Sequence, residues 1–94
     1  MCYEYDPAKS QGNKIKHGID FEEAQELWKD DNLLEITAHF RDERRFAVIG
    51  RIHEIMWTVV CTMRGESIRI ISCRRSRKTE IALYDQAIEK LHNG

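Results

Sequence analysis

Proline occurs once in this chain, at Pro7, and no apolar run approaches the roughly 18 residues that a membrane-spanning helix needs. No membrane span is therefore expected. Cys2, Cys61 and Cys73 are an odd number with no Cys-x-x-Cys spacing, which favours reduced thiols in the cytoplasm over disulfides or a zinc site. No pair of His, Cys, Asp or Glu has metal-ligand spacing, so neither a metal nor another cofactor is expected. The glycine-rich phosphate loops and the nucleophile elbow of hydrolases are missing too. The opening MCYEYDPAK is acidic and lacks an apolar segment, so it does not read as a signal peptide. Aromatics are few, and Trp28 and Trp57 read as core rather than as the exposed stacking platform of a single-strand binder.

What is present is enough for one small α+β domain spanning residues 1–94, with 41% hydrophobic residues. Charge is segregated along it. Residues 1–40 carry four Lys against nine Asp and Glu, whereas residues 41–78 carry nine Arg and one Lys against four acids. A local anion-binding surface on an otherwise acidic molecule fits this asymmetry. So does the simpler role of exposed strand arginines in keeping a sheet soluble and its edges unpaired.

The pattern divides readily into elements. YEY at 3–5 suits a short edge strand. Asp6 and Pro7 open a helix that Gly18 stops. Asp20, with Glu23 in capping-box spacing, opens a second helix whose stripe is Phe21, Ala24, Leu27 and Trp28. After the break at 29–32 the period becomes two: Leu34, Ile36, Ala38 and Phe40 alternate with Glu35, Thr37 and His39. A turn at 41–43, the strand RRFAVIG, the apolar strand 55–64, a hairpin around Gly65 and the strand 67–74 follow. Ser76 can cap a last helix with the stripe Ile81, Tyr84, Ile88 and Leu91. Short connections predict about four antiparallel strands in a meander, with two N-terminal helices and a C-terminal helix on one face.

Chemistry concentrates where the last strand ends. Alternation predicts Arg69, Ile71, Cys73 and Arg75 on one side and Ile70, Ser72 and Arg74 on the other. Arg77, Lys78 and the free N–H groups after Ser76 add positive potential. Guanidinium forks bind phosphate bidentately, so this reads as an anion site, with nucleic-acid backbone the favoured anion. Glu80 and Tyr84 are one helical turn apart and could serve metal-free cleavage of a phosphodiester by the RNA 2′-OH. The plainer alternative packs Tyr84 in the core and lets Glu80 offset the cations. His17, at the end of the first helix, suits the helix C-terminus or proton transfer; His39 is a second proton-transfer candidate, and His53 reads as a turn residue.

Five stretches, YEYDPAK, KHGIDFEEA, RRFAVIGR, TMRGESIRIISCRRS and the later pair Glu80 and Tyr84, together resemble the BrnT family of bacterial toxins from Tyr3 to about Tyr84. The resemblance implies a RelE-like fold and a metal-independent ribonuclease of a type II toxin–antitoxin pair. It also implies a BrnA-like antitoxin partner, with operator DNA reached only through that partner and RNA as substrate. Carried over by position, Lys16 and His17 occupy the Lys-His-Gly stretch, and Arg64, Arg69, Arg74 and Arg75 match the family's arginines. Arg44 and Arg45 stand where an acidic–basic pair is usual, and Cys73 and Ser76 where small alanines are usual. The expectation is that Arg64, Arg74 and Arg75 stabilise the phosphate in the transition state, with His17, Glu80 or Tyr84 moving the proton. Lys16, Arg44, Arg45, Arg69, Arg77 and Lys78 would bind RNA. The same charge pattern also suits an inactive regulatory domain that binds nucleic acid or a partner without cutting.

Overall fold

The computed structural model describes residues 2–40 and 43–93. The expected turn at Arg41 and Asp42 lies outside the described residues, as does the side chain of His39. Strand β1 (Cys2–Glu4) leads into helix α1 (Pro7–His17) and the short helix α2 (Phe21–Ala24), which runs on as a 3-10 turn over Gln25–Lys29. Strands β2 (Leu34–Phe40), β3 (Glu43–Ile52), β4 (Ile55–Arg64) and β5 (Ser67–Arg75) follow, and helix α3 (Lys78–Asn93) closes the chain. The order in the sheet is β1-β5-β4-β3-β2.

The four-stranded antiparallel meander forms, but the sheet has a fifth strand and is mixed. Cys2, Tyr3 and Glu4 pair in parallel with Ser67, Ile68 and Arg69. A short edge strand was legible at YEY; its parallel pairing was not, because the partner lies over 60 residues away.

Caps explain why the N-terminal helices start and stop. The Asp6 side chain accepts the Ala8 N–H at 2.9 Å and Pro7 follows at the first position, where no N–H is needed. Gly18, at φ 81, ends α1 in the left-handed region. Asp20 and Glu23 form a reciprocal capping box, and Glu23 also takes the Lys14 ammonium at 2.7 Å.

These helices cover one sheet face. Ile19, Phe21, Ala24 and Leu27 pack with Phe46, Val48, Trp57, Val59, Cys61, Ile68, Ile70 and Cys73. Gly50 sets how closely they approach: a Cβ there would lie 2.9 Å from Leu33 Cδ1 and 3.0 Å from Leu27 Cδ1. Tyr3 and Tyr5 extend this core through edge-on contacts with Trp28 and Phe21.

The helices do not all share one face, contrary to expectation. Thr58 and Ile49, on the opposite side, are fully buried, and the α3 residue Glu80 bonds Thr58 there. The sheet is therefore held between α2 and α3. An apolar–polar count could not show this, because the second face is buried over only part of its length.

Beyond Arg69, β1 no longer covers the edge of β5, and a side chain takes over. Asn13 Nδ2 donates to the Cys73 carbonyl at 2.8 Å, and Asn13 Oδ1 accepts the Cys73 N–H at 3.3 Å. Its second amide hydrogen goes to the Ile19 carbonyl at 2.8 Å. One buried amide thus continues the ladder and pins the α1–α2 connection. Replacing Asn13 by Ala leaves these backbone groups buried without partners, a cost of about 3 kcal/mol. Urea denaturation of Asn13→Ala checks this, and a loss near zero would mean that water replaces the amide freely.

Candidate active site

The two arginines that end β5 point to opposite sides. Arg74 pairs with Thr58 and lies on the α3 face; Arg75 pairs with Trp57 and lies on the α2 face. Arg74 is fully committed. Its Nη1 and Nη2 donate to Glu80 Oε1 and Oε2, both at 2.8 Å. Glu80 Oε1 also accepts the Arg77 N–H at 2.7 Å and the Thr58 hydroxyl at 3.1 Å. Since Thr58 gives its proton to Glu80, the Ser76 hydroxyl 2.8 Å away must donate to Thr58.

This arrangement changes several sequence-based expectations. Ser76 does not cap α3; Glu80, its third residue, takes the N–H just before the helix, as the acid of a capping box does. The Arg77 N–H is consequently not available to an anion. The two hydrogen bonds from Arg74 hold the Glu80 carboxyl down at about 2, against the opposing effect of burial and with help from the Arg77 N–H. A carboxylate held so low is a poor proton acceptor near neutral pH.

Tyr84, expected beside the arginines, is 3% exposed and donates its hydroxyl to Asp30 Oδ2 at 2.8 Å. Burial, then the Asp30 carboxylate, pushes the phenol up to about 12. Burial also raises Asp30, but the Asn32 N–H, the Tyr84 hydroxyl and the Arg51 N–H outweigh it and leave that carboxyl below its usual range. Tyr84 thus fastens α3 to the turn before β2. The core alternative for Tyr84 is the one the geometry supports.

Arg75 remains exposed, its guanidinium carbon 5.7 Å from the Trp57 ring centroid. It pairs with no carboxylate among the described residues. Arg77 and Lys78 are exposed just beyond it. Lys16, exposed, and His17, half-buried, occupy the last turn of α1. Glu4 is level with Arg69 and Asn13 with Cys73, so α1 runs in the direction of β5. His17 lies one turn past Asn13, about 6 Å on. Arg75 lies two residues past Cys73, about 7 Å on. Both thus lie beyond the point where Asn13 meets Cys73.

Arg64 does not join this group. It pairs with Ser67 at the far end of the β4–β5 hairpin, six residues along β4 from Thr58, a separation of about 20 Å. The expected cluster of Arg64, Arg74 and Arg75 is not formed. Arg69 also changes sides. A bulge leaves Ile71 without a partner, so Val60 faces Ser72 while Cys61 faces Ile70. The extra residue inverts the alternation upstream, placing Arg69 opposite Thr62 on the face of Arg74 rather than that of Arg75. Arg44 and Arg45, adjacent on β3, take opposite faces at the Arg64 end of the sheet. The cations thus occupy two ends of the sheet, one with Arg74, Arg75, Arg77 and Lys78, the other with Arg44, Arg45, Arg64 and Arg69.

Thr58, Asn13 and Asp30 are the organising residues that sequence reasoning passed over. Thr58 gave a faint signal, a lone hydroxyl in the apolar run IMWTVV. The other two gave none, because their partners are distant in the chain. Among the described residues no group of three His, Cys, Asp or Glu is placed to hold a metal.

The family described as the ribonuclease toxin BrnT of type II toxin–antitoxin systems matches residues 5–80. The chain belongs to the BrnT family. The match includes Lys16, His17, every arginine of both basic ends and Glu80, and stops short of Tyr84. No curated protein matches the chain. Membership of a type II toxin family implies an antitoxin partner. No described helix is long and apolar enough to cross a membrane.

The Glu80 contacts carry a pH signature. A carboxyl lowered on folding from the ordinary glutamate range, near 4.3, to about 2 adds stability that is complete above that range. The contribution is lost as pH falls from about 4.5 towards 2. Urea midpoints of the wild type should fall more steeply over this window than those of Glu80→Gln. Parallel curves would show that Glu80 titrates normally.

Proposed function

We propose that this BrnT-family chain is an endoribonuclease with the RelE-like mode of action, cleaving RNA without metal and so inhibiting translation. A BrnA-like antitoxin in the cytoplasm would neutralise it and carry the pair to operator DNA. The observation that carries the site assignment is Arg75, an exposed guanidinium at the strand end with no carboxylate partner among the described residues. It follows Cys73 along β5 as His17 follows Asn13 along α1, and Arg77 and Lys78 come next in the chain.

In this reading the RNA 2′-OH attacks the adjacent phosphorus, forming a 2′,3′-cyclic phosphate and releasing the 5′-oxygen. Arg75 stabilises the extra negative charge on the pentacoordinate phosphorus. His17 moves the proton, an imidazole being suited to exchange near neutral pH. Arg74 and Glu80 act at one remove. Their ion pair fixes the end of β5 against α3, and with it the direction in which Arg75 leaves the strand. Lys16, Arg77 and Lys78 bind flanking phosphates. Arg44, Arg45, Arg64 and Arg69, at the other end of the sheet, would meet RNA several nucleotides away. They supply binding rather than chemistry.

The test is cleavage of a defined RNA by antitoxin-free protein in excess chelator. Arg75→Ala should lower the cleavage rate on the order of a hundredfold, and His17→Ala should lower it as well. Arg64→Ala should retain the rate at saturating RNA. Undiminished cleavage by folded Arg75→Ala overturns the assignment. Binding of RNA without cleavage by the wild type would favour a regulatory domain instead.

A further inference from the structure

A groove of about 550 Å³ opens between α2, with its 3-10 continuation, and the β3–β4 hairpin. Its floor is apolar, from Ile52, Ile55 and Trp57, and its rim includes Glu22, Glu26 and Glu54. Among the described residues no lysine or arginine lines it. Glu22 and Glu54 are exposed and have no partner among the described residues; Glu26 shares an exposed ion pair with Lys29 at 3.0 Å. We propose that this groove docks a cationic amphipathic segment of a partner protein, apolar side chains on the floor and lysines or arginines against the rim.

Charge complementarity selects this occupant. A phosphate backbone entering the groove meets the carboxylates of Glu22, Glu26 and Glu54, with His53 the one basic side chain among the lining residues described, and is repelled, although Arg75 lies just outside against Trp57. A purely apolar segment would leave the rim carboxylates against desolvated surface without partners, which costs free energy. A segment with both features satisfies floor and rim together, the arrangement by which amphipathic helices occupy grooves. Opposite charge also speeds the encounter and makes it salt-dependent. Glu22 and Glu54 thereby acquire a role that the ribonuclease reading leaves unassigned. Neither reading depends on the other.

The experiment titrates the full chain with a fourteen-residue peptide carrying leucine and lysine at helical spacing. A control peptide has the same composition, scrambled so that no apolar face forms. The ordered peptide should bind at least about tenfold more tightly than the scrambled one and shift the Trp57 indole resonance. Glu22→Lys combined with Glu54→Lys should lower that affinity at least about tenfold. Both positions are exposed, and the amide spectrum checks that the fold is retained. Equal affinity for the two peptides, unchanged affinity in the variant, or resonance shifts centred on Arg64 and Arg69 would each overturn the proposal. These outcomes are read by binding alone and leave the cleavage assignment separately testable.

Discussion

The Glu80 carboxylate receives four hydrogen bonds from three parts of the chain: two from Arg74 on β5, one from Thr58 on β4 and one from the backbone of Arg77. Most of what distinguishes this end of the molecule follows from that convergence. The bonds start α3, hold it on the sheet face opposite α2 and remove Arg74 from the pool of available cations. A largely buried ion pair of this kind adds little net stability over an apolar contact, but removing one partner is costly because the other charge is left stranded. Its contribution is to geometry: with Arg74 occupied, its neighbour on the other face, Arg75, is the strand-end guanidinium open to an anion.

A second side chain does comparable work at the sheet edge. Asn13 extends the β5 ladder beyond the short β1, and its remaining hydrogen fixes the turn into α2. The last turn of α1, with Lys16 and His17, is thereby positioned relative to the end of β5. Polar residues buried in a small core thus decide where the chemistry-bearing ones stand, while the apolar core between α2 and the sheet supplies the driving force for folding.

The charge asymmetry of the sequence becomes a set of separate surfaces. The described arginines of residues 44–77 divide between two ends of the sheet about 20 Å apart. Three carboxylates of the N-terminal half, Glu22, Glu23 and Glu26, line the groove beside α2, where Glu54 of the β3–β4 hairpin joins them. The hairpin turns on His53 at φ 55, a conformation unusual outside glycine, and its chain reversal brings Glu54 to the rim. One surface is suited to polyanions and another to cationic protein, on a chain whose net charge is −1.

Local rules determined a good deal. Capping residues marked the starts of α1 and α2, the period-two alternation marked β2, and the stripe Phe21, Ala24 and Leu27 marked the buried helix face. The resemblance to BrnT rested on ordered stretches that any fold would leave readable. What required the tertiary structure was every relation between distant residues. A single bulged residue at Ile71 reversed the facing of Arg69, which alternation counted from the other end of β5 could not detect. Antiparallel pairing placed Arg64 far from Arg74 although both belong to one hairpin. Tyr84 and Glu80, neighbours on a helix, were separated in role by Asp30 and Arg74, partners that only chain folding brings to them. Sequence periodicity reports the direction of a side chain relative to its own strand or helix; which group it meets there is decided by packing between elements.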